Sequence, residues 1–298
     1  PKRIAIREAY FGSHKVIELV KRIRDVQVID IDDELSEGDL IWLETPVNPT
    51  GEAADIKHYA ERAHQAGGWL VVDATFAPPP LQYPFDHGAD MVMHSATKYF
   101  GGHSDLLGGL LLTNEQSSAD KLYKDRGVLG NMMGSLESWL LLRSLRTLEV
   151  RVLRQSATAT ALATWLNGAS GGQAHDGIPA GIVHSLRHTT VQTAGGKNEW
   201  VQKQMPGGHC AVFAILLETK EQARILPHHL QLAHNATSLG GVESLIEWRY
   251  GTDGISDPRL IRVSVGLEAL DDLKRDWRQA LAQVASLPAT TAEVAAAE

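Results

Sequence analysis

The sequence has 298 residues, of which 43% are apolar and 21% charged, ample material for a large buried core in an ordinary globular protein. A net charge of −8 argues against nucleic acid or an anionic membrane surface as partner. No signal peptide and no apolar run of about 18 residues is read from it, so neither secretion nor membrane insertion is expected. The single cysteine, Cys210, cannot form an internal disulfide, which fits a reducing, cytoplasmic setting and the role of a small buried hydrophobe.

At about 150 residues per domain, the length predicts two domains. The chain starts on Pro1 and goes directly into an apolar run, so it reads as a protein taken up partway through. Ile4 to Ile6 is a predicted strand. Tyr10-Phe-Gly-Ser13 follows, then an amphipathic helix through Ile17, Leu19, Val20 and Ile23. Val26 to Ile31 and Asp39 to Glu44 are the next strands, bounded by acidic and glycine turn residues. In Glu44-Thr-Pro-Val-Asn-Pro-Thr-Gly51 two prolines and a glycine fix a loop at the carboxyl end of a strand, where open α/β sheets bind ligands. For Asn48 alone, the initiation of an Asn-Pro turn is an equally plain reading. Ala54 to Ala66 is helical and is stopped by Gly67-Gly68. Trp69-Leu-Val-Val-Asp73 is an apolar strand ending in an acid, which is costly to bury without a partner and therefore points to function.

The most informative stretch is Asp90-Met-Val-Met-His-Ser-Ala-Thr-Lys-Tyr-Phe-Gly-Gly-His-Ser-Asp105. A buried strand ends at His94, and small hydroxyl residues and a lysine follow before glycines turn the backbone. Ser95 and Thr97 can each give a hydroxyl hydrogen bond to an anion, and a desolvated Lys98 can form a Schiff base with an aldehyde. Pyridoxal phosphate (PLP) needs all three, together with a carboxylate on its ring nitrogen, which Asp73 supplies. Gly108 to Thr113 is a further strand, and the alternation of strands and helices predicts a mostly parallel α/β sheet. Gly127 to Gly134 reads as a loop, and Leu136 to about Trp165 as one long helix or a bent pair whose arginines serve packing and solvation.

The weakly periodic stretch from Gly168 to Gly196 marks the domain junction, giving domains 1–167 and 168–298. Beyond it, Cys210 to Leu217 is a strand, Glu221 to Leu230 a helix, and Leu260-Ile-Arg-Val-Ser-Val-Gly266 a strand with an arginine inside an apolar run. A buried Arg262 needs an anion, and a bidentate carboxylate suits its fork. Leu270 to Leu287 is an amphipathic helix, and Thr290 to Glu298 a frayed tail.

The run His94-Ser-Ala-Thr-Lys-Tyr-Phe-Gly-Gly-His-Ser-Asp105 resembles the cystathionine γ-synthase and γ-lyase family, the trans-sulfuration group of Cys/Met-metabolism PLP enzymes. Supporting similarities run in the family's order through Tyr10-Phe-Gly-Ser13, Asn48, Leu142-Arg-Ser-Leu-Arg-Thr-Leu148, Ser238-Leu-Gly-Gly-Val-Glu-Ser-Leu-Ile246 and Arg262. The resemblance implies a fold-type I architecture, with a seven-stranded-type sheet flanked by helices and a smaller carboxyl-terminal α+β domain. It implies that Lys98 holds PLP and shuttles protons, Tyr10 stacks on the ring and assists as a base, and Asn48 contacts the phenolic oxygen. Asp73 pairs with the ring nitrogen, Thr75 neighbours the cofactor, and Ser95 and Thr97 hold the phosphate. Ser238 and Arg262 orient the substrate carboxylate.

The implied partners are an amino acid and a thiol, in a homo-oligomer, dimer or tetramer, whose sites lie between subunits. The family also carries a segment before the tyrosine whose backbone amides cradle the phosphate, and an arm that reaches a neighbouring subunit; neither is in these residues. Other departures are Ala74, where the family usually has asparagine, and Glu247-Trp-Arg-Tyr in place of Glu-His-Pro. Ser13 follows Gly12 with no cysteine nearby, Leu239 follows the serine in place of tryptophan, and Thr237 precedes it in place of glutamate. These favour γ-replacement on an O-acylhomoserine over γ- or β-elimination, with an inactive homologue acting only in assembly as a further alternative. The thirteen histidines show no ligand spacing such as His-Glu-x-x-His, so no metal site is expected.

Overall fold

The computed structural model describes residues 1–286, and the tail expected over Thr290 to Glu298 lies outside the described residues. The chain divides into two compact units. Unit 1 comprises residues 1–48, 52–153 and 198–208; unit 2 comprises 49–51, 154–197 and the chain from 209 onward. The division at Leu153 and Arg154 precedes the junction expected at 167 and 168 and falls inside a helix. Helical periodicity runs through that point unbroken, so the sequence pattern does not mark it.

Unit 1 is built on a six-stranded sheet. Its strands are β1 (Arg3–Ala5), β2 (Gln27–Ile29), β3 (Leu40–Glu44), β4 (Trp69–Asp73), β5 (Met91–Ser95) and β6 (Gly109–Thr113), in the order β2-β1-β3-β4-β5-β6. All neighbours are parallel except β6, which runs antiparallel to β5. Six strands, where a seven-stranded type was expected, use every apolar run of strand length in unit 1. Leu70, Val71 and Val72 are buried in succession on β4, as a strand covered on both faces requires.

Helices flank the sheet. The first two are α1 (Phe11–Ile23) and α2 (Ile56–Gln65). Asp55 caps α2 by accepting from the His58 amide, and Ile56, Ala60 and Ala63 pack with Ile41, Leu43, Leu70 and Val72. Next come α3 (Gln116–Leu129), α4 (Ser135–Leu145) and α5 (Leu148–Asn167), so the long helical region is the bent pair. The loop expected from Gly127 starts later, since α3 continues to Leu129 and ends at Gly130 in the left-handed region.

Residues 198–208 belong to unit 1, and Gln204 bonds to its backbone. Gln204 accepts from the Ile56 amide at 2.9 Å and donates to the Ala54 carbonyl and to Gln82 Oε1, each at 3.0 Å. Its amide group thereby satisfies backbone at the start of α2.

The strand order reverses between β1 and β3: β2 lies on one side of β1 and β3 on the other. In an open parallel sheet the connections diverge at such a point and leave a crevice at the carboxyl edge. The segments after β1, β3, β4 and β5 all emerge at that edge.

Unit 2 carries a second sheet of β7 (Val183–Arg187), β8 (Val212–Leu217), β9 (His234–Asn235), β10 (Leu245–Trp248) and β11 (Leu260–Ser264), in the order β7-β8-β11-β10-β9. The register shift between Val183 and Ser185 breaks the alternation of β7, which is why that strand is hidden in the weakly periodic stretch. Along the helix Leu270–Ser286, residues Leu273, Trp277, Ala280, Leu281 and Val284 are buried at helical spacing. No helix among the described residues is long and apolar enough to cross a membrane.

Leu70 is fully buried in the middle of β4. Its replacement by alanine is expected to lower unfolding stability by about 2–5 kcal/mol in a denaturant titration, because the sheet core cannot collapse around the lost atoms.

Candidate active site

The carboxyl edge of unit 1 holds two buried acids side by side. Glu44 ends β3 and Asp73 ends β4, they are register partners, and each is only 4% exposed. Glu44 is satisfied by backbone: Oε1 accepts from the Asn48 amide at 2.7 Å and Oε2 from the Tyr10 amide at 2.6 Å. Asp73 Oδ1 accepts from the Thr75 amide at 3.0 Å and from its hydroxyl at 2.6 Å. The Thr75 hydroxyl oxygen in turn accepts from the Ser95 amide at 2.9 Å. One threonine thus links the end of β4 to the end of β5.

Burial, and after it the Asp73 charge, push the Glu44 carboxyl up to about 8. Burial also raises Asp73, against the lowering effect of its Thr75 bonds. Two carboxyls this close and this dry cannot both ionise cheaply; each has two donors, and a charge on Asp73 further disfavours one on Glu44.

Lys98 lies in a tight turn after β5. Its amide donates to the Ser95 carbonyl at 3.1 Å and its carbonyl accepts from the Gly102 amide at 2.7 Å. Ser95, Thr97 and Lys98 are half-buried. The Thr97 hydroxyl accepts from the Gly108 amide at 3.1 Å, while its contact with the Gly108 carbonyl is long, at 3.4 Å. Its proton is therefore weakly committed and can turn to an anion.

The turn is braced from below by Arg151. Its guanidinium donates to the Tyr99 carbonyl at 2.7 Å, the Ser144 carbonyl at 3.0 Å and the Thr147 hydroxyl at 3.1 Å. A methyl group on Gly102, whose φ is +71°, would overlap that guanidinium. By contrast Arg143 and Arg146 are exposed, in keeping with the solvated role expected of them.

Tyr10 caps α1 and is half-exposed, with its ring folded over Gly12 so that a side chain there would collide with it. Asn48 is half-buried in the loop after β3. Tyr10, Asn48, Asp73, Thr75, Ser95, Thr97 and Lys98 therefore all lie at one edge of one sheet. His94 is buried against Phe100 and meets the backbone of Ala74, and burial pushes its imidazole down to about 4, so it stays neutral.

Arg262 and Ser238 belong to unit 2. Arg262 on β11 faces its register partner Glu247 on β10, with an ion-pair distance of 2.5 Å, and donates to the Ser238 carbonyl at 2.8 Å. The anion that a buried Arg262 needs is supplied within the chain by Glu247. Glu247 also meets Arg249 at 3.0 Å, and Arg249 meets Asp253 at 3.1 Å. Ser238 adopts φ +89°, a strained conformation for serine of the kind that collects at functional sites.

Glu44, Arg151, Glu247 and Arg249 are the residues that sequence reasoning did not assign to the site. For Glu44 the signal was present, since Asp39-Leu-Ile-Trp-Leu-Glu44 repeats the pattern of an apolar strand ending in an acid that singled out Asp73.

These groups fit PLP. Asp73 is an oriented, buried carboxylate that gains from meeting a protonated ring nitrogen, and an amine and anion-binding hydroxyls sit on the adjacent strand's loop. A family model described as "Cys/Met metabolism PLP-dependent enzyme" matches residues 23–282. The chain belongs to this family. Its cofactor is PLP. The cystathionine beta-lyase of Bacillus subtilis is 35% identical over 258 residues, 83% of this chain and 63% of that protein. The cystathionine gamma-lyase of Dictyostelium discoideum is 36% identical over 303 residues, covering 93% of this chain and 74% of that protein. The structure of cystathionine gamma synthase from Xanthomonas oryzae in complex with cystathionine superposes with a TM-score of 0.80 at 29% identity, covering 96% of this chain and 76% of that one. The chain thus spans about two thirds to three quarters of the length of these relatives, and lyases and a synthase stand together among them.

Glu44 gives this PLP-family chain a distinctive pH dependence. Unfolded, its carboxyl titrates near 4.5; folded, it holds its proton to about 8. Stability from this group is therefore fully present below the lower value and is lost as pH rises through the upper one. Thermal unfolding of wild type and Glu44→Gln should show the variant gaining relative to wild type as pH increases across that window.

Proposed function

We propose that this chain carries out PLP-dependent γ-replacement on an O-acylhomoserine-type amino acid with a thiol, giving cystathionine or a related thioether. The observation that carries the reading is the Asp73–Thr75–Ser95 linkage, which sets a buried carboxylate and the Lys98 turn on adjacent strands.

When bound, PLP supplies an electron sink that eases heterolytic cleavage at the substrate's Cα and, by extension, at Cβ and Cγ. Asp73 would hold the ring nitrogen in its protonated form, and the Thr75 bonds keep the carboxylate aimed. Tyr10 would cover the ring face, Asn48 would meet the phenolic oxygen, and the hydroxyls of Ser95 and Thr97 would hold the phosphate. Lys98 is assigned the attachment of the cofactor, and its amine moves the proton at the substrate's Cα and Cβ. Arg262 and Ser238 are assigned the substrate's α-carboxylate, with Glu247 fixing the guanidinium. Ser13, Thr237 and Leu239 support replacement over elimination. The lyases among the relatives favour elimination of cystathionine as the second reading.

The test begins with addition of PLP, borohydride reduction and mapping of the modified lysine, followed by assay with O-acylhomoserines and cysteine. Label on Lys98 and formation of a thioether are expected, and Lys98→Ala should lower turnover by about 10²–10⁴-fold as the proton shuttle is lost. Release of a 2-oxo acid and ammonia without thioether would replace this reading by elimination. Label scattered over surface lysines would mean that these residues do not hold the cofactor.

We also propose that the chain assembles as a homo-oligomer, dimer or tetramer. Along α3, α4 and the turn between them, Val128, Leu129, Met132, Leu136, Trp139 and Leu142 are all more than half exposed. An apolar strip of that size calls for a partner. Sedimentation velocity should show a dimer or larger, and a monomer at tens of micromolar would rule the proposal out.

A further inference from the structure

Glu44 occupies a position that the roles assigned above leave unexplained. It stands at the point where the strand order reverses, between the segment leaving β1 and the segment leaving β3. Those two segments bring Tyr10 and Asn48 to the edge, and Glu44 bonds both through their backbone amides, one to each carboxyl oxygen. On its other side it lies against Asp73 across the β3–β4 register. A buried acid needs donors, but any two amides would satisfy it. That the two are those of Tyr10 and Asn48, 34 and 4 residues away in sequence, makes Glu44 the common anchor of two of the residues assigned to the cofactor, beside a third, Asp73.

We infer that Glu44 is a positioning residue: its side chain ties Tyr10 and Asn48 to the strand end beside Asp73, so that the groups meeting the ring face and phenolic oxygen of PLP share one support next to the group that meets the ring nitrogen. This rests on the functional reading above and deepens it. Glu44 acts through the backbone of its two neighbours and needs no contact with the cofactor. Its length matters, since both oxygens must reach amides on different segments. A carboxamide has one acceptor oxygen and must release one amide, and an aspartate keeps both oxygens but is one methylene short.

The test uses the full chain and the variants Glu44→Gln and Glu44→Asp, with two readouts. Residue-resolved hydrogen exchange without cofactor should show the Tyr10 and Asn48 amides protected in wild type. Protection at one or both should fall by about tenfold in each variant, the equivalent of one buried hydrogen bond. Titration with PLP should then show about tenfold weaker binding and a displaced absorbance band in both variants, since aspartate retains both acceptor oxygens but not the reach. Unchanged exchange at both amides overturns the inference. So does lost protection with wild-type PLP affinity and an unmoved band, which would leave Glu44 a purely structural acid. Wild type that fails to hold PLP on Lys98 overturns the functional reading instead, and exchange at the two amides still decides whether Glu44 ties them.

Discussion

Two carboxyl groups buried next to each other at the ends of parallel strands set the terms for the rest of unit 1. Neither can be charged in a dry interior without donors, and both cannot be charged together at modest cost. The fold answers with backbone amides and one threonine hydroxyl instead of arginine or lysine. Glu44 draws in the segments after β1 and β3, Asp73 draws in Thr75, and Thr75 draws in the start of the Lys98 turn. Each bond that relieves an acid also fixes a loop. The geometry of the edge is in this sense a by-product of solvating two acids from within.

Unit 2 deals with buried charge in another way. Arg262, Glu247, Arg249 and Asp253 alternate in sign along β10, the short helical turn after it and β11, so that every charge meets an opposite one. Within this network Glu247 and Arg249 each hold two partners, so that losing Glu247 would leave the Arg262 guanidinium without its carboxylate. An arginine held on one side by a carboxylate presents the rest of its fork in a fixed direction, which suits recognition of a carboxylate by shape as well as charge. Arg249 stands in the Trp248-Arg249 pair that departs from the family's His-Pro; it takes one Glu247 oxygen and Arg262 takes the other.

How much of this was legible in the sequence depended on whether the signal was local. The strands ending in Glu44, Asp73 and Ser95, the helix stopped at Gly67 and the Ser-x-Thr-Lys turn are short-range patterns, and they were readable. Asp73 stands out because an acid at the end of an apolar strand is expensive to bury, and Glu44 satisfies the same test. Arg262 was read correctly as buried, but its ion pair is a cross-strand contact that no spacing rule announces. β7 was missed because its register shift hides the alternation. The brace from Arg151 to the Tyr99 carbonyl spans 52 residues and left no mark in either segment alone. Long-range partnership, more than local conformation, is what a single sequence withholds.

The path of the chain has a consequence for how this protein can be taken apart. Residues 198–208 belong with unit 1 although the chain on either side belongs with unit 2, and residues 49–51 show the reverse. The start of α2 depends on Gln204, some 150 positions further along. No single cut yields two pieces that each contain all of their own parts: a fragment ending near Leu153 would keep the lysine turn and both buried acids and yet lack the residue that completes α2. A boundary for genetic dissection therefore cannot be drawn at one position of the sequence, because each unit is assembled from separated segments.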